Sequence, residues 1–566
     1  MIKSSSKGHF ARLKYLIDRI QSIAPTQTLT IDSGDSFGGS LFHLLSASNA
    51  YSCDAVPPPE WKFLSDCHFD ATVFGNHDFD GFDVGLGKRL DCAKNTTTVQ
   101  VLSSNILINS DESECRKIKS SITKPDTHYS APGEQNRPTR IVPYVLKELT
   151  DPSTNQSLKV AIFGFFGPDS SLLCNPYRKC THFVGFNDAT HSIEWAEYVQ
   201  HVYDTITTVR KVHEPQVIIT VAHSGVPEDE QLITSLHQLT KDDNFVHVHL
   251  GSHTHHAYSK QTKGTTLYQS DSYGTHLGTP QFQYDYNKNT VTLLNKDVRK
   301  QVYPDAISPG VTLPTHLVID GSIPLDPHYD TLVQSYKKMI DSTFLKKSDF
   351  KYDTPIGHVD TRKLFVDIVT DCLYTQIKNL FIKDLGVYLM SEAAIRNDPE
   401  HLQKTNSTQI YFQFSDVYRV LGIGELSTLI SEERKPGDVI AHFYMSRHEL
   451  TMLVQGNEFA ELANPTYGIC FSSSLQYKTN WYGIPFLNRM VDFRINDRIM
   501  QKDDLIHVAM PAWMVKYFKK MSQMSFGILS CNFRDRFGRV IQEPDRLLVH
   551  DYELFAMCIR DGVLFK

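Results

Sequence analysis

Four stretches of this chain end an apolar run in small residues and then present oxygen or nitrogen donors. Asp35 stands in S-G-D-S-F-G-G, Asn76 and His77 in G-N-H-D-F-D, His223 in A-H-S-G, and His253 and His255 in G-S-H-T-H. One carboxylate, one amide oxygen and several imidazoles form a donor set for borderline divalent cations such as Zn, Mn, Fe or Co. The small neighbours allow backbone to approach a cation closely. Each stretch also has a plain reading. Asn76 or Asp78 can cap a helix or make an Asx turn. Asp35 can be a turn residue, His223 a buried and satisfied histidine, and His253, His255 and His256 a polar loop. Recurrence favours chemistry, because the carboxyl ends of strands are where open α/β sheets place it. His247 and His249 lie inside the strand that leads to Gly251 and are expected to be structural.

The elements that must carry these donors follow from periodicity. Residues 9–23 read as an amphipathic helix with Phe10, Leu13, Leu16, Ile17 and Ile20 on one face. Short apolar runs at 28–31, 72–74, 99–102, 160–167, 217–221 and 246–250 read as strands, with helices at 193–212 and 228–239 between them. Asn105 stands at the tip of the 99–102 strand, and residues 109–140 form a polar excursion. This alternation predicts a layered α/β domain over residues 1–305. Residues 306–354 read as a Pro- and Gly-rich linker followed by a connecting helix at 328–344, and residues 355–566 as a smaller α+β domain.

With 566 residues, 41% hydrophobic and 21% charged, the composition is that of an ordinary globular chain. A net charge of -7 provides no basic footprint, so nucleic acid is not an expected partner. No run of about 18 apolar residues occurs, so no transmembrane segment is expected. The first ten residues lack the apolar core of a signal peptide. Of the 10 cysteines, Cys174 and Cys180 are close in sequence and read equally as a local disulfide or as two thiols. The sequons at Asn95, Asn155 and Asn406 matter only in a secreted protein.

Taken in order, G-D-x-x-G, G-N-H-D-F-D, S-N, A-H-S-G and G-S-H-T-H closely resemble the 5'-nucleotidase branch of the calcineurin-like metallophosphoesterases, over about residues 9–290. The resemblance implies a four-layer α/β/β/α catalytic domain and two divalent metal ions, Zn, Mn or similar. In it Asp35 bridges the metals, Asn76, His223 and His253 complete one, and His255 binds the other. His77, paired with Asp80, stabilises developing charge or protonates the leaving group. The implied activity is hydrolysis of phosphomonoesters, foremost nucleoside 5'-monophosphates, by two-metal activation of water. The alternatives are a 2',3'-cyclic nucleotide phosphodiesterase or UDP-sugar hydrolase and, from another class, an inactive nucleotide-binding relative. The family's opening D-x-H strand has no counterpart before Asp35, which reads as an N-terminal truncation. A signal peptide could lie in the missing part, so the chain is expected to be secreted or at the cell surface if one does, and cytoplasmic otherwise.

The family's second domain binds the nucleoside, and its motifs are matched only partly here. M-S-E-A-A-I-R ends at Arg396, a candidate anion grip. The base-stacking aromatics would fall near Phe471 and Tyr517, although K-Y-F-K-K stands where the family has G-G-D-G-F.

Overall fold

The structure is a computed structural model. It describes residues 9–47, 52–53, 57–80, 82–108, 113–121, 141–174, 179–190, 192–295, 299–300, 307–308, 311–346, 348–360, 365–391, 395, 404–406, 409–421, 439–463, 468–479, 490–515, 518 and 532–562. The chain is mixed α/β and divides into two compact units, one holding most residues up to Ile340 and the other most residues from Asp341.

The first unit is built on two sheets. One runs Ala71–Val73, Gln100–Leu102, Ile141–Val142, all parallel, with Ile31 bridging in parallel to Ala71. The other has six strands in the order Ala257–Thr262, Thr265–Ser270, Val248–Leu250, Val217–His223, Ser157–Phe166, Tyr144–Thr150. Its four central strands are parallel and its two edges antiparallel. Alternation along a strand decides what each face meets. Val160 and Ile162 join Ala71, Val73, Leu102 and Val221 between the sheets. Ala161, Phe163 and Phe165 point the other way, into Val199, Val202 and Ile206 of helix Trp195–His213 and Leu232, Ile233 and Leu236 of helix Val226–Thr240. The remaining face of the smaller sheet packs Val101 and Phe74 against Trp61, Leu64, Leu86 and Leu90. The sheets come so close that a Cβ on Gly164 would lie 2.2 Å from Cβ of Leu102. Val217–His223 is buried at every residue, as a parallel strand covered on both faces must be.

Helix Phe10–Ile23 is capped by His9, whose ring accepts the Ala11 N–H. Its buried Leu16 packs with Leu313, Leu317, Ile319 and Ile323. The stretch read from its Pro and Gly content as linker therefore contributes core here, and His316–Val318 pairs with His276–Gly278.

The second unit holds a five-stranded sheet, Ile469–Phe471, Val387–Ser391, Leu505–Pro511, Val439–Ser446, Asp545–His550. Only its second and third strands are parallel. Val387, Leu389, Phe443, Met445, Ile506 and Val508 form the core on one face. A Cys372–Cys558 disulfide ties helix Phe365–Leu380 to helix Asp551–Asp561.

The remaining cysteines correct the reading of a local bridge. Cys180 pairs with Cys115, Cys53 with Cys92, and Cys174 is a buried thiol. Strand pairing explains the choice. Thr181–Phe183 runs antiparallel to Ile106–Ile108, which brings Cys180 to the helix Ser113–Lys119 that carries Cys115. Among the described residues no helix is long and apolar enough to cross a membrane.

Candidate active site

Parallel strands deliver their carboxyl ends to one edge, and there the sequence places its donors. His223 closes Val217–His223, His253 follows Val248–Leu250, and Asn76 follows Ala71–Val73. Asp35 comes from the loop after Ile31, the residue bridged to Ala71.

His223 organises the group. Its Nδ1 lies 2.9 Å from the Ser33 carbonyl, which accepts only an N–H, so Nδ1 carries the proton. Nε2 then faces Asp35 Oδ2 at 3.2 Å and Asn76 Oδ1 at 3.2 Å. A backbone carbonyl that fixes the tautomer and aims the other nitrogen is the outer support usual for metal-binding histidines. Burial works to lower the His223 pKa, but the Asp35 carboxylate outweighs it and lifts the imidazole to about 9. A proton and a cation would compete for that Nε2. His253, half-buried and edge-on to His223 at 5.2 Å between ring centroids, is pushed down to about 4 by burial and by His223, so it stays neutral.

Glycines make room for the carboxylate. A Cβ on Gly75 would fall 2.0 Å from Asp35 Oδ1, and one on Gly34 would fall 3.0 Å from His223 Nδ1. Asp35, His253 and His255 all have left-handed backbone, with φ of 59°, 65° and 57°. Such strain in non-glycine residues gathers where surrounding structure holds a functional geometry.

His77 N–H donates to Asp35 Oδ1 at 2.9 Å, and its ring Nδ1 lies 2.7 Å from Asp80 Oδ2. Carboxylate contact at Nδ1 sets the ring direction. The short 3-10 turn Asn76–Phe79 makes this pairing, with Asp78 turned inward to accept the Gly75 N–H at 2.5 Å. Burial, then the nearby Asp35, raises the Asp78 pKa to about 7. Buried Arg89 donates to the Asp78 carbonyl at 2.8 Å.

The donors thus divide. Asp35, Asn76, His223 and His253 come together, and His77 with Asp80 stands beside them. His255 is exposed, and its described ring contact is with Tyr273 at 5.1 Å. Among the described residues no group of three His, Cys, Asp or Glu side chains is arranged to hold a metal ion. Charge draws His223 and Asp35 directly together, and His253 meets His223 ring to ring rather than donor to donor. The donor types, the fixed His223 tautomer and the Gly75 cradle fit one cation at Asp35, Asn76 and His223; a second has only Asp35 and His255 from the expected set. In the second unit Phe471 is half-buried against the hydrophobic core, while Arg396 and Tyr517 lie outside the described residues.

Sequence reasoning missed the residues that hold the donors in place. Asp32 accepts from Thr72 Oγ1 at 2.5 Å and Ser36 Oγ at 2.8 Å, pinning the Asp35 loop to the neighbouring strand. Asn105, at its strand tip, brackets the Phe166 backbone with its side chain, accepting from N–H at 3.0 Å and donating to the carbonyl at 2.9 Å. Asp32 had a signal, since it ends the same apolar run as Asp35.

This is the fold of solved 5'-nucleotidases. Among solved structures, a 5'-nucleotidase precursor from Thermus thermophilus superposes with a TM-score of 0.60 at 16% identity, covering 99% of this chain and 92% of that one. A 5'-nucleotidase from Candida albicans gives 0.55 at 13% identity, covering 98% and 93%. The sulfate thiohydrolase SoxB of Thermus thermophilus gives 0.56 at 12%, covering 98% and 81%. Among curated proteins, the trifunctional nucleotide phosphoesterase YfkN of Bacillus subtilis is 23% identical over 320 residues. That match spans 52% of this chain and 19% of YfkN. No family model matches the chain. At such identities the likeness is one of fold, and the chemistry has to be argued from the site.

Proposed function

We propose that this protein is a metal-dependent phosphomonoester hydrolase that cleaves nucleoside 5'-monophosphates to nucleoside and phosphate. One observation carries the reading: His223 Nε2, with its tautomer fixed by Ser33, faces both Asp35 and Asn76 at 3.2 Å at the edge where His77 is paired to Asp80. Divalent cations held by Asp35, Asn76, His223, His253 and, for the second ion, His255 would polarise a phosphoryl oxygen and acidify water. The protein's own groups do the rest. Asp35, oriented by the His77 N–H, keeps its carboxylate toward His223. His77 Nδ1 is committed to Asp80, which leaves Nε2 to carry a proton to the departing alkoxide or to balance charge as it develops. Arg396 and Tyr517 remain the candidates for gripping the nucleotide, whereas Phe471 packs against the core of the second unit and is assigned to it.

The relatives' printed names, 5'-nucleotidase and nucleotide phosphoesterase, support a nucleotide as substrate. Three disulfides among the described residues support an oxidising compartment and hence a secreted or cell-surface location. Product formation by the full chain, followed by chromatography over nucleoside 5'-monophosphates, 2',3'-cyclic nucleotides and UDP-glucose with Zn or Mn added, tests the proposal. Turnover highest on the 5'-monophosphates supports it. Preference for a cyclic or sugar nucleotide moves the assignment to those substrates, and inertness toward all of them refutes it.

A further inference from the structure

One buried carboxylate lies beneath both histidine-bearing loops, and the chemistry above does not use it. Asp229 sits in the first turn of helix Val226–Thr240, only 3% exposed. Its Oδ1 accepts from Ser224 Oγ, the hydroxyl of the residue after His223. His249 Nε2 lies 2.9 Å from the same oxygen. Oδ2 accepts from Gln269 Nε2 at 3.3 Å. Gln269 extends the connection: it donates to the Ser224 carbonyl at 3.4 Å and accepts from Thr254 Oγ1, between His253 and His255, at 3.0 Å. The second loop rests directly on the carboxylate, because a Cβ on Gly251 would fall 2.0 Å from Asp229 Oδ2. Glycine at 251 therefore lets the backbone pass. His249, read from the sequence as structural because it lies inside its strand, is tied at its other nitrogen to Thr220 Oγ1 at 2.8 Å.

We propose that Asp229 is a positioning residue that locks the 222–226 and 251–256 loops to one another and so sets His223 and His253 for cation binding. Two flexible loops could present the same imidazoles at many separations. One carboxylate bonded to Ser224, packed under Gly251 and linked through Gln269 to Thr254 selects one. Burial pushes the Asp229 carboxyl pKa up, a cost the network of donors offsets. The inference rests on the hydrolase reading for its consequence, but not for its geometry.

The test uses the full chain and two variants, Asp229→Asn, which replaces an acceptor by a group of the same shape, and Ser224→Ala, which removes one partner. Amide hydrogen exchange is followed by mass spectrometry, and Mn binding by calorimetry with the metal alone. Both variants are expected to keep the wild-type circular dichroism. Exchange should speed at least about tenfold at 222–226 and 251–256 with the rest unchanged, and Mn affinity should fall about 10- to 100-fold, the usual range for outer partners of metal ligands. Unchanged exchange in those two segments overturns the proposal, as does a uniform rise along the chain, which a merely structural role would give. If Asp229→Asn does not fold, Ser224→Ala decides. A wild type that neither binds Mn nor hydrolyses any nucleotide removes the hydrolase reading, while the exchange result still judges the lock.

Discussion

Both units set histidines beside carboxylates on a β-sheet, in different places. In the first unit His223 closes its strand and His77 and His253 stand past the ends of theirs, His77 in the short turn Asn76–Phe79 and His253 with left-handed backbone. In the second unit His442 and His507 lie inside strands, Val439–Ser446 and Leu505–Pro511. His442 Nδ1 faces His507 Nε2 at 3.2 Å, His507 Nδ1 lies 3.1 Å from Asp384, and the Tyr444 ring stacks on His507 at 4.2 Å. There the imidazoles satisfy one another, and burial, more than any neighbouring charge, lowers both their pKa values. At the first edge Asp35 overcomes burial and raises His223. Position on the strand separates the two: an interior side chain is fixed by its pleat and partners, whereas a residue past the strand end can turn toward donors from several segments.

Four predictions press on that contrast, beginning with the largest effect. Asp35→Asn should cut metal-dependent turnover by about a thousandfold or more, the loss of several kcal/mol of charge stabilisation, and should strip bound metal. Unchanged metal content by elemental analysis would remove Asp35 from the donor set. His77→Ala should lower kcat by about 10²- to 10⁴-fold with metal content intact, the range for a lost proton-transfer group. A variant that turns over AMP at the wild-type rate would show that His77 has no part in the reaction.

Phe471→Ala, in the second unit, should act on stability instead. The ring packs against the core formed by Leu389, Phe443 and Val508. A loss of about 3 kcal/mol in chemical unfolding is expected, at the low end for Phe→Ala because the side chain is half-buried. The KM for AMP should stay within about twofold of wild type. A tenfold rise in KM with stability unaltered would instead make Phe471 a base-stacking residue.

The smallest effect is in pH. His442 and His507 titrate below their unfolded value of about 6.5, so the folded form resists their protonation. Their neutral state favours folding fully above that pH, and the advantage is lost as pH falls below it toward their folded pKa values. Asp384 and Asp545 act in the opposite direction on both histidines and moderate the slope. Unfolding of the full chain followed at Tyr444 and His507 by exchange should show weaker protection at pH 5.5 than at 7.5. Equal protection at both would show that these imidazoles do not titrate in this way.

The donors were legible because each follows an apolar run that ends at a glycine or another small residue, a pattern that survives in sequence order. Strand ends could be read within a few residues: 72–74 was expected and Ala71–Val73 found, 217–221 expected and Val217–His223 found. What holds the donors was not legible. Asp32 reaches Thr72, Asp229 reaches Gln269, and the Ser33 carbonyl reaches His223, all across gaps that only the fold closes. Cysteine pairing stayed open for the same reason, since the five residues between Cys174 and Cys180 say nothing of the strand pairing that carries Cys180 to Cys115. In the second unit the sequence offered aromatic types without a pattern to separate stacking from core, and Phe471 proved to share a core with neighbours far along the chain.

The central claim is that donors from separate strand ends converge on a cation. Crystals of the full chain soaked in Zn and measured across the Zn absorption edge test it most directly. The account predicts an anomalous peak within about 2.0–2.2 Å of His223 Nε2 and of oxygens from Asp35 and Asn76. Occupied Zn sites elsewhere, with His223 still bonded directly to Asp35, would contradict it.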